Sequence, residues 1–109
     1  MTETTYCIYV QHEPFKMYYI LTYQTIDDYV SRRVPYRSEH LALAKSYFDK
    51  GILVMGGALA NPADKAVLVF KSTSKDVVED FVRQDPYVKQ GLIVSWEIRE
   101  WTVVLGGEG

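Results

Sequence analysis

Cysteine is nearly absent: Cys7 is the only one in 109 residues, so no internal disulfide can form. One thiol and two histidines, His12 and His40, are too few for a dedicated zinc site. We expect no metal, no other cofactor and a cytoplasmic, reducing location. Neither sign of charge dominates, since 12 Lys+Arg against 14 Asp+Glu leaves −2 with no basic block. That balance excludes the usual footprint of a nucleic-acid partner. A membrane span needs about 20 apolar residues, and the uncharged run Gly51 to Ala60 falls well short. Met1 to Thr5 lacks the positive start of a secretory signal. The phosphate-binding glycine loops, the zinc-protease HExxH and the hydrolase GxSxG are all missing.

What is present is globular: 48% hydrophobic with 24% charged, enough apolar surface for one core. We read residues 1–109 as a single domain, with 1–16 as an N-terminal extension and 106–109 as a loose tail. Met17 to Tyr23 is aromatic and β-branched, hence a strand. Asp27 and Asp28 suit the cap of a following helix, and Pro35 kinks or restarts it. From Tyr36 to Lys50, Leu41, Leu43, Ala44, Tyr47 and Phe48 recur at helical spacing, and Gly51 fits the end. Ile52 to Met55 is a second strand broken by Gly56-Gly57, where a bulge is expected. Asn61 to Asp64 is a turn, and Ala66 to Phe70 a third strand. Ser74 caps a second helix whose face is Val77, Val78, Phe81 and Val82. Asp85-Pro86 ends it, Pro86 opens a short turn, and a long fourth strand follows with Val94, Trp96 and Ile98 on one face. The order is β-α-β-β-α-β, an α+β ferredoxin-like pattern with an antiparallel sheet. Thr5 to Val10 reads as an extra strand of open pairing.

The strands carry a second message. Helices on one face of a sheet predict alternation of apolar and polar residues. Here Val67 and Val69 oppose Ala66, Leu68 and Phe70, and Tyr18 and Ile20 oppose Tyr19 and Leu21, so both faces are apolar. A bare apolar face of that size is unusual in a monomer, and we expect a homodimer with two sheets face to face.

His40 is the first candidate for chemistry, because it falls on the Leu43/Ala44/Tyr47 side of its helix. An imidazole against an apolar pocket can act as a general base near neutral pH. The plainer reading is a half-buried histidine bonded to a carboxylate. Asp85 follows at the end of the second helix on the same sheet face, where it could orient the imidazole. The plainer reading there is a helix cap before proline. Arg37, one turn before His40, could fork onto an anion, or else pair with Glu39 or Asp49 on the surface. Tyr87 could line the same pocket, or simply pack as one of nine tyrosines. Cys7 and His12 read as a packed residue and a loop residue.

Taken in order, these stretches resemble a known family. Arg33-x-x-x-Arg37-Ser-Glu-His40-Leu41, Gly51 to Leu59, Asp85-Pro86-Tyr87-Val88-x-x-Gly91-Leu92 and Trp101 are similar to the YciI-like (YCII-domain) proteins from about Met17 to Trp101. Gly57, where that family often has proline, and Pro35 depart from the common form. The resemblance implies a dimeric α/β barrel and a catalytic histidine–aspartate pair, which falls on His40 and Asp85. Arg37 and Tyr87, from their own positions, are the substrate-binding candidates beside that pair. One member of the family looks like a dehydrochlorinase of a chlorinated hydroxyhydroquinone, and muconolactone isomerase has a similar fold. The implied function is a cofactor-independent lyase or isomerase that moves a proton on a small oxygenated cyclic substrate. The alternative is a non-catalytic small-molecule-binding dimer, an accessory or sensor domain. An oxygenase like other dimeric α/β barrels has less support.

Overall fold

A computed structural model describes residues 15–107. Within them the chain runs β1 (Met17–Thr25), α1 (Tyr29–Arg32), a 3-10 turn (Val34–Tyr36), α2 (Arg37–Asp49) and β2 (Leu53–Ala58). It continues through β3 (Lys65–Ser72), α3 (Lys75–Gln84), α4 (Pro86–Lys89) and β4 (Ile93–Trp101). The strands make one antiparallel sheet in the order β2-β3-β1-β4. This is the ferredoxin-like α+β fold. The extra strand expected at Thr5 to Val10, with Cys7 and His12, lies outside the described residues.

The period of two in β1 and β3 decides which side chains meet the helices. Tyr19, Leu21 and Tyr23 pair in register with Phe70, Leu68 and Ala66, and all six are buried on one face. Val78, Phe81 and Val82 of α3 close over them, with Phe81 edge-on to Phe70 at 5.2 Å and to Tyr47 of α2 at 5.1 Å. Helix α3 is thus amphipathic for a physical reason: its stripe at i, i+3, i+4 fills the space above β1 and β3. Ser74 occupies the cap position but its side chain makes no capping bond. Asp28 likewise precedes α1 in a left-handed conformation (φ 59°), again without a side-chain cap.

Helix α2 differs from its apolar pattern. Leu43, Ala44 and Tyr47 are half-buried against the sheet, whereas Leu41 and Phe48 are 48% and 58% exposed. The helix touches the sheet along a stripe too narrow to cover all five positions. Pro35 lies in the 3-10 turn and α2 begins anew at Arg37, so proline restarts the helix where its fixed φ fits a first turn. Gly51 follows the helix at φ +77°, the left-handed position that glycine occupies without strain.

Strand β2 is not broken at Gly56-Gly57. It runs through both glycines, paired to Leu68 and Val67, and its irregularity falls earlier, between Leu53 and Met55. At Gly56 the reason for glycine is packing: a Cβ there would sit 3.0 Å from Leu68 Cγ. In β4, Trp96 and Ile98 pair with Tyr23 and Leu21 on the helix side. The register shifts at Gln24/Thr25, and Val94 is left 64% exposed. Tyr18, Ile20, Val67 and Val69 line the opposite sheet face, half-buried, beside Met55 at 65% exposed.

Two phenylalanines that look alike in the sequence therefore carry different loads. Phe81→Ala should cost about 3–5 kcal/mol, since Phe81 has no exposed surface. Phe48→Ala should stay within about 0.5 kcal/mol. Urea unfolding of the two variants checks this, and equal losses would contradict the packing described.

Candidate functional site

Asp85 sits between α3 and α4 and is completely buried. Proline at 86 forces the residue before it out of the helical region, and Asp85 is extended (φ −67°, ψ 119°). That turn directs its carboxylate back toward the sheet and the start of α2. Three donors converge on it. The Tyr87 backbone N–H donates to Oδ1 at 3.0 Å, the Tyr23 hydroxyl donates to Oδ2 at 2.7 Å, and His40 Nδ1 lies 2.8 Å from Oδ1. Burying a carboxylate is tolerable only with this degree of satisfaction. Both sequence readings of Asp85 hold at once, because it caps α4 and it bonds the imidazole.

The same contacts fix the imidazole. A carboxylate oxygen has no hydrogen to give, so the hydrogen of the 2.8 Å bond belongs to Nδ1, and whenever the ring is neutral the lone pair falls on the other nitrogen, Nε2. The His40 ring stacks on Tyr87 at 3.8 Å between centroids and 6° between planes, and its side chain is 14% exposed. Tyr87 in turn meets Tyr29 edge-on at 5.7 Å. One hydrogen bond and one stacked face leave the ring little rotational freedom.

His40 opens onto a cavity of about 180 Å³ between α2, β2, β3 and the α1 region. Leu53, Ala66 and Leu68 form the sheet side of it, and Leu41 and Ala44 the helix side. Tyr29, Arg33, Arg37 and Tyr87 complete it. Leu41 is thus a cavity residue and not a core residue, which accounts for its exposure. Burial pushes the Tyr23 phenol well above its ordinary pKa, and the Asp85 charge and hydrogen bond add to the shift. Burial also raises Tyr29 and Tyr87, while Arg33 and Arg37 pull both the other way.

Of the four residues singled out in the sequence, His40, Asp85 and Tyr87 are in mutual contact, and Arg37 lines the same cavity. The surface pairs suggested for Arg37 do not form: Asp49 pairs with Lys45 instead. Sequence reasoning gave no role to Tyr23, Tyr29 or Arg33. Tyr23 lies 62 positions from Asp85, and its signal was only a hydroxyl at the end of a buried strand face, which needs a partner. Arg33 was visible four residues before Arg37, on a helical path interrupted by Pro35. Among the described residues, no group of three or more His, Cys, Asp or Glu side chains is arranged to hold a metal ion. No helix among them is long and apolar enough to cross a membrane.

A four-stranded antiparallel sheet with its helices on one face, and a histidine–aspartate contact at the mouth of a cavity, define a small ferredoxin-like α+β protein. The YCII-related domain model matches residues 17–102, and the chain belongs to that family. No curated protein sequence matches it significantly. Among solved structures it is similar to a 5-chloro-2-hydroxyhydroquinone dehydrochlorinase from Burkholderia phenoliruptrix, in complex with 2,5-dihydroxybenzoquinone. The identity is 21%, with 79% of this chain and 94% of that chain covered and a TM-score of 0.68. It is also similar to an uncharacterised NIPSNAP-like domain protein from Burkholderia xenovorans (11% identity, 89% and 92% covered, TM-score 0.58). A nipsnap family protein of unknown function from Agrobacterium tumefaciens is a third (19% identity, 83% and 89% covered, TM-score 0.52). At these identities the likeness is one of fold.

The bond from Tyr23 yields a prediction with two parts. Tyr23→Phe leaves a buried carboxylate one donor short and should lower stability by about 1–3 kcal/mol. A phenol whose pKa is raised on folding contributes stability that is present below its unfolded pKa of 10.0 and is lost as pH rises above it. Denaturant titrations should therefore show wild-type stability falling above pH 10 by up to about 1.4 kcal/mol per pH unit from this group. Tyr23→Phe should fall less steeply, and identical slopes would contradict the assignment.

Proposed function

We propose that the cavity is an active site for cofactor-independent proton transfer on a small oxygenated cyclic substrate, with a lyase or isomerase outcome. The observation that supports this most is the anchoring of His40: Nδ1 is tied to a buried carboxylate while the ring borders a cavity. In this reading Nε2 takes a proton from a ring carbon next to a carbon–oxygen group. The electron pair of that C–H bond passes into an enolate. In an isomerase the imidazolium returns the proton at another carbon. In a lyase the enolate electrons expel a leaving group as its anion, and the proton stays on His40 until solvent removes it. Asp85 acts through His40, as a positioning residue that holds the Nδ1–H form and stabilises the imidazolium. Arg37 would receive the developing enolate charge and Tyr87 would hold the imidazole plane. The likeness to a dehydrochlorinase with a quinone bound supports a ring substrate of this kind.

A second reading is favoured by one observation: Asp85 also caps α4 through the Tyr87 N–H. The pair would then be a structural strut in a non-catalytic small-molecule-binding dimer. His40→Ala separates the two. Under the first reading it lowers turnover by about 10²–10⁴-fold, assayed on substituted hydroxyquinones, catechols and lactones, on top of the stability loss of about 1–3 kcal/mol that goes with removing a donor from Asp85. Loss of stability with turnover unchanged would contradict the first reading and support the second.

We also propose a homodimer in which two sheets pack through the face bearing Tyr18, Ile20, Val67, Val69 and Met55. An apolar sheet face of this extent is stable in water when another layer covers it. Light scattering at micromolar concentration should give the mass of two chains, and Val69→Asp should halve it. A wild-type monomer would contradict the proposal.

A further inference from the structure

The proton-transfer reading leaves part of the cavity unused. The volume of about 180 Å³ sets a size, since an apolar cavity of about 150 Å³ holds benzene. One ring with small substituents fills it, and a fused pair would extend beyond it toward solvent. The charge of the lining sets a sign. Arg33 and Arg37 both line the cavity, and no aspartate or glutamate does. Neither guanidinium has an ion-pair partner among the described residues. Arg33 instead lies over the Tyr29 ring, 5.1 Å from its centroid.

A further polar group at the same cavity is unmet. Tyr87 is 1% exposed and its hydroxyl has no hydrogen-bond partner among the described residues. A buried hydroxyl in that state is costly. Arg33, Arg37, Tyr29 and Tyr87 all line the cavity, so the two charges and the two phenol rings share one neighbourhood. The remaining walls, Ala44, Leu53, Ala66 and Leu68, are apolar.

We propose that the cavity selects a single-ring anion, with Arg33 and Arg37 taking its charged oxygen atoms and the apolar walls taking the ring. Arg33 is then a specificity-determining residue. The inference rests on the reading of this cavity as the functional site, and not on the proton transfer assigned to His40.

Titration calorimetry with four probes tests it: benzoate, benzamide, benzylamine and 2-naphthoate. Wild-type protein should bind benzoate at least about tenfold more tightly than benzamide, the usual scale of a charge-assisted contact. Benzylamine and 2-naphthoate should bind more weakly still, one for its charge and the other for its size. Arg33→Gln and Arg37→Gln, at half-buried and exposed positions where the fold tolerates change, should each remove most of the preference for benzoate. Added salt should weaken benzoate and leave benzamide unchanged. The proposal is overturned by no benzoate binding at millimolar concentration, by equal affinity for benzamide, by tighter binding of 2-naphthoate, or by arginine variants that keep the preference. His40→Ala should retain benzoate binding. If the arginine pattern holds while His40→Ala turns substrate over normally, the catalytic reading fails and the anion site stands.

Discussion

The site depends on one buried charge. Asp85 has no exposed surface, and its carboxylate is tolerated because three donors from three parts of the chain meet it. Tyr23 comes from the central strand β1, His40 from the first turn of α2, and the Tyr87 N–H from the short α4. Each donor satisfies the charge, and the charge in turn holds each element. A histidine held only by packing could flip or change tautomer. Held to Asp85 and stacked on Tyr87, its ring has Nδ1 tied down at the wall of the cavity.

The fold supplies this convergence through its topology. The order β2-β3-β1-β4 puts β1 inside the sheet, so a tyrosine on its helix-facing side reaches the turn between α3 and α4. The chain leaves α3 through Asp85-Pro86, and proline makes a sharp change of direction beneath α2. The bend that ends one helix therefore builds both the cap of the next and the anchor of the imidazole. A structural duty and a chemical duty are not competing explanations of Asp85, because one carboxylate has enough lone pairs for both.

Much of this was legible in the sequence, for identifiable reasons. The strand–helix order follows from the short apolar run Ala66 to Phe70, bounded by a turn, and from the helical stripe Val78, Phe81, Val82. His40 was legible because a rare polar type stood on the inward side of its helix, and Asp85 because it ends the second helix before Pro86 on the same sheet face. What escaped was set by distance or by local packing. Tyr23 meets Asp85 only through the antiparallel fold, and a tyrosine among nine carries no mark. The strand through Gly56-Gly57 looks like a break, since glycine is a poor strand residue. There, pairing to Leu68 and Val67 outweighs propensity. Leu41 and Phe48 looked like core because helical spacing does not reveal how narrow the contact with the sheet is.

The central claim is that Asp85 fixes the imidazole of His40 with its hydrogen on Nδ1 and its lone pair on Nε2. Nitrogen-15 NMR of the labelled imidazole, in a His12→Gln background at pH 8, reads this directly. The account predicts a protonated Nδ1 whose hydrogen exchanges slowly with water, and the loss of that protection in Asp85→Ala. A proton on Nε2 with a bare Nδ1, or the same spectrum with and without Asp85, would contradict it.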